Sequence, residues 1–222
     1  MQALFAQDPW LFLICAGVFG ALIGSFLNVV IYRLPVMMEH AWQDELADAQ
    51  GNEPAPRERF NLVVPRSRCG QCGHAVTALE NVPIISWLAL RGRCSACGTR
   101  ISARYPLVEA ATAALFVTCA WHFGFTFQAL AAMTFCAVLV TLTGIDLDTQ
   151  LLPDQLTLPL LWLGLLVNLF AMFAHLPDAV IGAAAGYLVL WSVYWLFKLV
   201  TGREGMGYGD FKLLGALGAW FG

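Results

Sequence analysis

The chain has 222 residues, of which 59% are hydrophobic and only 12% charged, with a mean hydropathy of +0.68 and a formal net charge of −3. That composition excludes a soluble globule, and the weakly acidic balance offers no surface for a nucleic-acid partner.

Spanning the hydrocarbon core as a helix takes roughly 20 apolar residues. Pro9 to Tyr32 is one charge-free run of that size and predicts a first transmembrane helix over residues 9–32. The N-terminal "MQALFAQDPW" carries no basic n-region, so this helix is expected to stay as an anchor held by Arg33, not to be cleaved as a signal peptide.

Residues 33–104 form the one sizeable polar segment. Its first part, "MMEHAWQDELADAQGNEPAPRERF", reads as a short amphipathic turn or two followed by linker. Its second part carries "RCGQCG" and "GRCSACG", two Cys-x2-Cys pairs with 21 residues between Cys72 and Cys94. Four thiolates on two such knuckles can surround Zn²⁺ tetrahedrally, with the glycine after each second cysteine turning the backbone back toward the metal. Two disulfides are the alternative, which a reducing cytoplasmic compartment disfavours. Catalytic zinc keeps a position open for water, so a metal closed by Cys69, Cys72, Cys94 and Cys97 is expected to be structural. Cys15, Cys119 and Cys136 fall in predicted helices and read as inert packing residues.

Residues 105–222 supply the remaining spans. Ala110 to Ile145 is 36 residues without a charge, which fits two helices joined by a turn near "HFGFTFQ" (His122 to Gln128). Gln155 to Pro177 and Ala179 to Phe197 predict two more. After Lys212 only ten residues precede Gly222, about half a span, so the chain is expected to be truncated in its sixth helix. The fold class read here is an all-α polytopic membrane protein with a four-cysteine zinc-binding loop.

Cytoplasmic segments near membrane ends are enriched in lysine and arginine. With the N-terminus outside, the inner segments are 33–104, 146–154 and 198–212, and all twelve basic residues fall within them. The same threading brings Asp210, in "GMGYGDFKLLGALGAW", back to the face where the third helix ends in "TGIDLDTQLLPDQLT" with Asp146, 64 residues earlier. Two neighbouring carboxylates can share a proton, one taking a proton from water while the other polarises a peptide carbonyl. Gly205, Gly207 and Gly209 would let the backbone bend and a substrate strand approach. Each acid also has a plainer reading: Asp154 as an N-cap, Asp148 as a solvated charge, Glu109 as a partner of Arg100 or Arg104, and Asp146 and Asp210 as helix-end residues. Two rival functions stay open, a proton-coupled carrier and a non-enzymatic assembly scaffold that docks a partner through its zinc knuckles.

The motifs "GSFLNVVIYRLP" (Gly24 to Pro35), the double Cys-x2-Cys loop, "ISARYPLVE" (Ile101 to Glu109), "IDLDTQLLPD" and "GYGDFKLLGALGAW" closely resemble, in order and over nearly the whole chain, the bacterial type IV prepilin peptidases. These are GxGD-type aspartic proteases of the inner membrane. The resemblance implies cleavage of a basic leader from prepilins or pseudopilins at the cytoplasmic membrane face, followed by N-methylation of the new terminal residue with S-adenosylmethionine, for pilus biogenesis or type II secretion. By that resemblance the catalytic pair is Asp146 and Asp210. No glycine-rich fingerprint for the methyl donor is present, and its ligands stay unassigned.

Overall fold

The computed structural model describes residues 8–53, 56–203 and 205–222, and these form seven helices with no β-strand. They are α1 (Pro9–Ala49), α2 (Ile85–Ala89), α3 (Arg104–Phe123), α4 (Phe127–Thr149), α5 (Asp154–Asn168), α6 (Leu176–Thr201) and α7 (Tyr208–Phe221). Four of them, α1, α3, α4 and α6, are long and apolar enough to cross a membrane. Bulky side chains such as Trp10, Ile14, Val18 and Leu22 on α1 and Ile181, Leu188 and Leu196 on α6 lie exposed, which suits lipid and not water. The chain is a multi-pass, all-α membrane protein that falls into two compact units, Met1–Ala129 and Leu130–Gly222.

In the first unit α1 packs on α3 through a stripe of glycines. A Cβ on Gly20 would stand 2.8 Å from the Cα of Ala113, and one on Gly24 would stand 2.7 Å from the Cα of Glu109. Without side chains at these positions the two backbones approach closely, the usual way that helices gain contact in a solvent as apolar as their own surfaces. Asn28 adds a polar tie, donating from Nδ2 to the Tyr105 carbonyl at 3.1 Å.

Helix α1 departs from expectation by running 41 residues, straight through Pro35. Beyond that proline the sequence "VMMEHAWQDELADA" consists mostly of strong helix formers, so one lost backbone hydrogen bond does not end the helix. What ends it is Gly51, at φ +71°. The Gly51 amide bonds the Asp48 carbonyl at 3.0 Å and the Asn52 amide bonds the Ala47 carbonyl at 2.9 Å, the paired closure of a Schellman motif. The segment read as a turn and a linker is therefore mainly helix.

The turn expected between His122 and Gln128 is present. Gly124 takes φ +62°, and the Thr126 hydroxyl accepts the Ala129 amide at 3.2 Å to cap α4.

The second unit is built around Trp220. Its indole packs with Phe135, Leu142, Leu160 and Ala216 in one buried cluster, and Nε1 donates to the Leu160 carbonyl at 2.9 Å. A Cβ on Gly164 would meet the indole at 2.5 Å, and one on Gly218 would lie 2.1 Å from the Gly182 carbonyl oxygen, so α7 presses closely on both α5 and α6. The apolar run from Gln155 to Pro177 does not form a single span, because α5 stops at Asn168 after 15 residues. Asn168 is 1% exposed and uses its whole amide: Nδ2 donates to the Ala219 and Trp220 carbonyls, while Oδ1 accepts the Phe173 and Ala174 amides. A buried asparagine so engaged holds the chain in a turn that hydropathy cannot reveal.

Candidate functional site

The polar loop contains two copies of one small device. In the first, the Cys69 amide bonds the His74 carbonyl at 2.8 Å, the Gly73 amide bonds the Cys69 carbonyl at 2.9 Å, and Gly73 sits at φ +72°. In the second, Cys94 bonds Thr99 at 2.8 Å, Gly98 bonds Cys94 at 2.9 Å, and Gly98 sits at φ +73°. The glycine after each second cysteine occupies the left-handed region that the knuckle requires. A short bridge closes each knuckle, Arg68 with Ala75 and Arg93 with Arg100.

Their four sulfurs, from Cys69, Cys72, Cys94 and Cys97, all lie within 4.8 Å of one another. The Cys69 and Cys97 sulfurs are 3.8 Å apart, far too long for a disulfide. Thiolates each bonded to zinc at ~2.3 Å in a tetrahedron stand about 3.8 Å from one another, so the spacing fits Zn²⁺. The thiols are also tuned unequally. The Thr99 hydroxyl and amide hold Cys97 down at about 6, and the Cys72 and Gln71 amides lower Cys69. The His74 amide pulls Cys72 down as well, but hydrogen bonding to Cys97 and burial push it up to about 11. Thiolate character, the form that binds metal, is thus already present in the cluster.

A clasp of side chains outside the four sulfurs joins the knuckles. Glu80 accepts from the Ser95 hydroxyl, from the Thr77 amide at 2.8 Å and from the Thr77 hydroxyl at 2.9 Å, and it lies 3.2 Å from His74 Nε2. The Ser95 hydroxyl first, then Thr77, hold its carboxyl down at about 2. His74 follows the first knuckle and Ser95 lies within the second, so one carboxylate spans both.

Glu109 has a role that the sequence did not disclose. It is 8% exposed, and its Oε2 accepts the Ile84 amide at 2.7 Å, at the start of α2. Ile84 adopts φ +62° and ψ −51°, a strained conformation for a β-branched residue. The carboxylate of α3 thus anchors the strained entry to α2.

In the second unit Asp146 is exposed on the last turns of α4, one turn past the buried Leu142. Asp210 is half-buried in the first turn of α7, one turn before Leu213, which packs on the same Trp220 cluster. Asp154 is not the N-cap of α5, since Pro153 holds that position and Asp154 is the first helical residue. Its carboxylate instead receives Lys212 Nζ at 2.6 and 2.7 Å, tying the first turn of α5 to that of α7. The four residues 150–153 connect α5 back to the end of α4. Asp146 and Asp210 therefore occupy the same end of this unit.

The motif glycines are packing residues. A Cβ on Gly209 would lie 2.7 Å from that of Leu152, and one on Gly205 would strike the Phe197 ring at 2.8 Å. Gly207 is the N-cap, extended at φ −78°, and its nearest side-chain neighbour is Asp210 Oδ2.

Residues 18–123 match the bacterial peptidase A24 N-terminal domain, and residues 133–222 match the type IV leader peptidase family. Over 219 residues the chain is 59% identical to a protein of Stutzerimonas stutzeri named prepilin leader peptidase/N-methyltransferase, covering 98% of this chain and 75% of that one. Relatives of the same name in Pseudomonas putida (57% identical, 100% of this chain and 77% of that one) and Aeromonas hydrophila (60%, with 96% and 74%) agree. The chain belongs to the type IV leader peptidase family. No solved structure matches it. The cysteine cluster and Glu109 fall in the N-terminal domain match, and Asp146, Asp154, Asp210 and Lys212 in the leader peptidase match.

Proposed function

We propose that the protein is an aspartic endopeptidase that removes the leader from type IV prepilins or pseudopilins and then N-methylates the new terminal residue, in the service of pilus assembly or type II secretion. The observation that carries this reading is the family membership together with two aspartates at one end of the second unit. Asp146 and Asp210 share a proton in this scheme. The ionised carboxylate takes a proton from water as the oxygen attacks the scissile carbonyl, and the protonated one donates a hydrogen bond to the carbonyl oxygen as it becomes negative. Collapse of that intermediate returns a proton to the leaving nitrogen.

The active site is placed at the cytoplasmic edge of the inner membrane, with a periplasmic N-terminus and residues 33–104 inside, because that orientation puts all twelve basic residues on one face. Zinc bound by Cys69, Cys72, Cys94 and Cys97 would be structural, since four thiolates leave no position for water or substrate. S-adenosylmethionine supplies the methyl group when bound. It carries more positive than negative charge, and the cleft beside Arg33 and Arg66, lined by no acid, does not suit it. No residue of this chain is assigned to it.

The test is cleavage of a synthetic prepilin by purified protein. Asp146→Asn and Asp210→Asn should each abolish cleavage with zinc content and membrane insertion unchanged, and the double variant should be no worse than either single. Normal processing by Asp210→Asn would refute the assignment, and a requirement for Asp148 instead of Asp146 would move the pair along α4.

A further inference from the structure

Arg33 is the first charge after the apolar run of α1, and it is 7% exposed. A buried guanidinium is normally paired with a carboxylate. This one forms no ion pair among the described residues. Its Nη1 donates to the Asn61 carbonyl at 2.8 Å and its Nη2 to the Pro65 carbonyl at 2.6 Å, while the plane lies over the Phe60 ring at 5.6 Å. These contacts fix the group in place without neutralising it.

The uncompensated charge borders a cleft of about 410 Å³. Eleven residues line it and none is acidic. Arg66, Ser67 and Asn81 bring a second guanidinium, a hydroxyl and a side-chain amide, and none of the three side chains has a partner among the described residues. Val29, one turn back along α1, forms the apolar wall. These donors are those that a phosphate takes, with arginine supplying a fork matched to its oxygens.

The place in the fold narrows the source. The charge-free run closes at Tyr32, so Arg33 stands at a membrane edge and Val29 within the apolar stretch. Val63 and Val64, on the loop that Arg33 grips, are 77% and 42% exposed. Exposed valines beside a basic cleft suit the boundary between headgroups and acyl chains. We propose that the cleft binds the phosphate of an anionic phospholipid, with the glycerol and upper acyl chain against Val29 and Val63. A zwitterionic lipid would bring its quaternary ammonium against Arg66 and bind less well. This inference does not depend on the peptidase reading.

The experiment is native mass spectrometry of the intact protein released from detergent micelles holding equal amounts of phosphatidylglycerol and phosphatidylcholine. One phosphatidylglycerol should be retained in preference by about tenfold or more. Arg66→Glu and Asn81→Asp each place a carboxylate in the cleft while leaving Arg33 and its carbonyl contacts intact, and each should erase the preference without altering helicity by circular dichroism. The proposal is overturned if the two lipids are retained equally, or if both variants hold phosphatidylglycerol as the wild type does. Displacement of the lipid by glycerol 3-phosphate at matching concentration would reassign the cleft to soluble phosphate esters. Displacement by S-adenosylhomocysteine would reassign it to the methyl donor. Either result overturns the lipid site.

Discussion

Removing the Glu109 carboxylate should release the strained entry to α2 while leaving the α1–α3 pair assembled. Ile84 at φ +62° carries backbone strain of about 1–3 kcal/mol, which persists only if its surroundings hold it. The hydrogen bond from its amide to the buried carboxylate at 2.7 Å contributes on the order of 1.5–3 kcal/mol, enough to offset that strain. In Glu109→Gln an amide oxygen can still accept the Ile84 proton, so about half of that contribution should survive. In Glu109→Ala no acceptor remains and Ile84 is free to relax to negative φ. The contact surface of α1 on α3 is made by Gly20, Gly24, Thr112 and Phe116 and does not need the carboxylate. Hydrogen–deuterium exchange of the peptide over residues 82–92 reads the effect directly. Exchange should accelerate by about 10–150-fold in Glu109→Ala, the range that a loss of about 1.5–3 kcal/mol implies, and by roughly tenfold or less in Glu109→Gln. Amides of α1 between residues 17 and 31 should stay protected in both. Unchanged exchange over 82–92 in Glu109→Ala would show that the strain is held by something else, and the reasoning would fail.

Other consequences are smaller or more direct. Cys72→Ser should lower bound zinc, measured by elemental analysis, and increase protease nicking between Arg66 and Arg104, because metal binding is folding free energy for a lobe this small. Glu80→Gln should quicken zinc loss to a chromophoric chelator at neutral pH by about tenfold, because it weakens the clasp through Thr77, His74 and Ser95 that joins the two knuckles. Because the Glu80 carboxyl is held at about 2, below its usual 4.5, the clasp is complete above pH 4.5 and should loosen as pH falls toward 2. Loss of the Glu80 contacts can be followed by carboxyl chemical shifts. Asp154→Asn should leave prepilin cleavage within a few-fold of normal and cost no more than about 1 kcal/mol in thermal unfolding, since that carboxylate is 52% exposed.

What could be read in the sequence was whatever depends on composition or short spacing. Four thiols at fixed intervals, each second one followed by glycine, leave few backbone solutions, and both knuckles adopt the same one, with Gly73 and Gly98 within a degree of each other in φ. The membrane class followed from charge-free runs, and the turn at Gly124 from a run too long for one helix. What could not be read was set by pairings distant in sequence. Asn168 ends α5 through carbonyls 51 and 52 residues away, and Asp154 serves a lysine 58 residues on where a local rule offers an N-cap. Charge misled in the opposite direction, because the apolar run closes at Arg33 while the helix continues to Ala49 and Gly51 carries the actual stop.

The motif glycines show how the two kinds of information meet. Around Asp210 they suggest a pliant backbone, yet Gly209 lies against Leu152 and Gly205 against Phe197, with no room for a methyl group at either. The absent side chain of Gly209 lets α7 seat its first turn directly on the segment that joins α4 to α5, and the Lys212–Asp154 pair fastens that seat on its solvent side. A carboxylate at the third position of α7 is therefore set by a rigid contact. Rigidity is what proton sharing requires, because two aspartates exchange a proton with water and substrate only if neither can swing away into solvent. Gly209→Ala should then impair catalysis without touching either acid. A Cβ at 2.7 Å from that of Leu152 must push α7 outward, lowering kcat by about tenfold or more for a displacement near 1 Å, with helicity retained. Leu152→Gly, which removes the opposing Cβ, should restore part of the loss in the double variant. If Gly209→Ala cleaves prepilin at the normal rate, close seating of α7 is not what holds Asp210 in place.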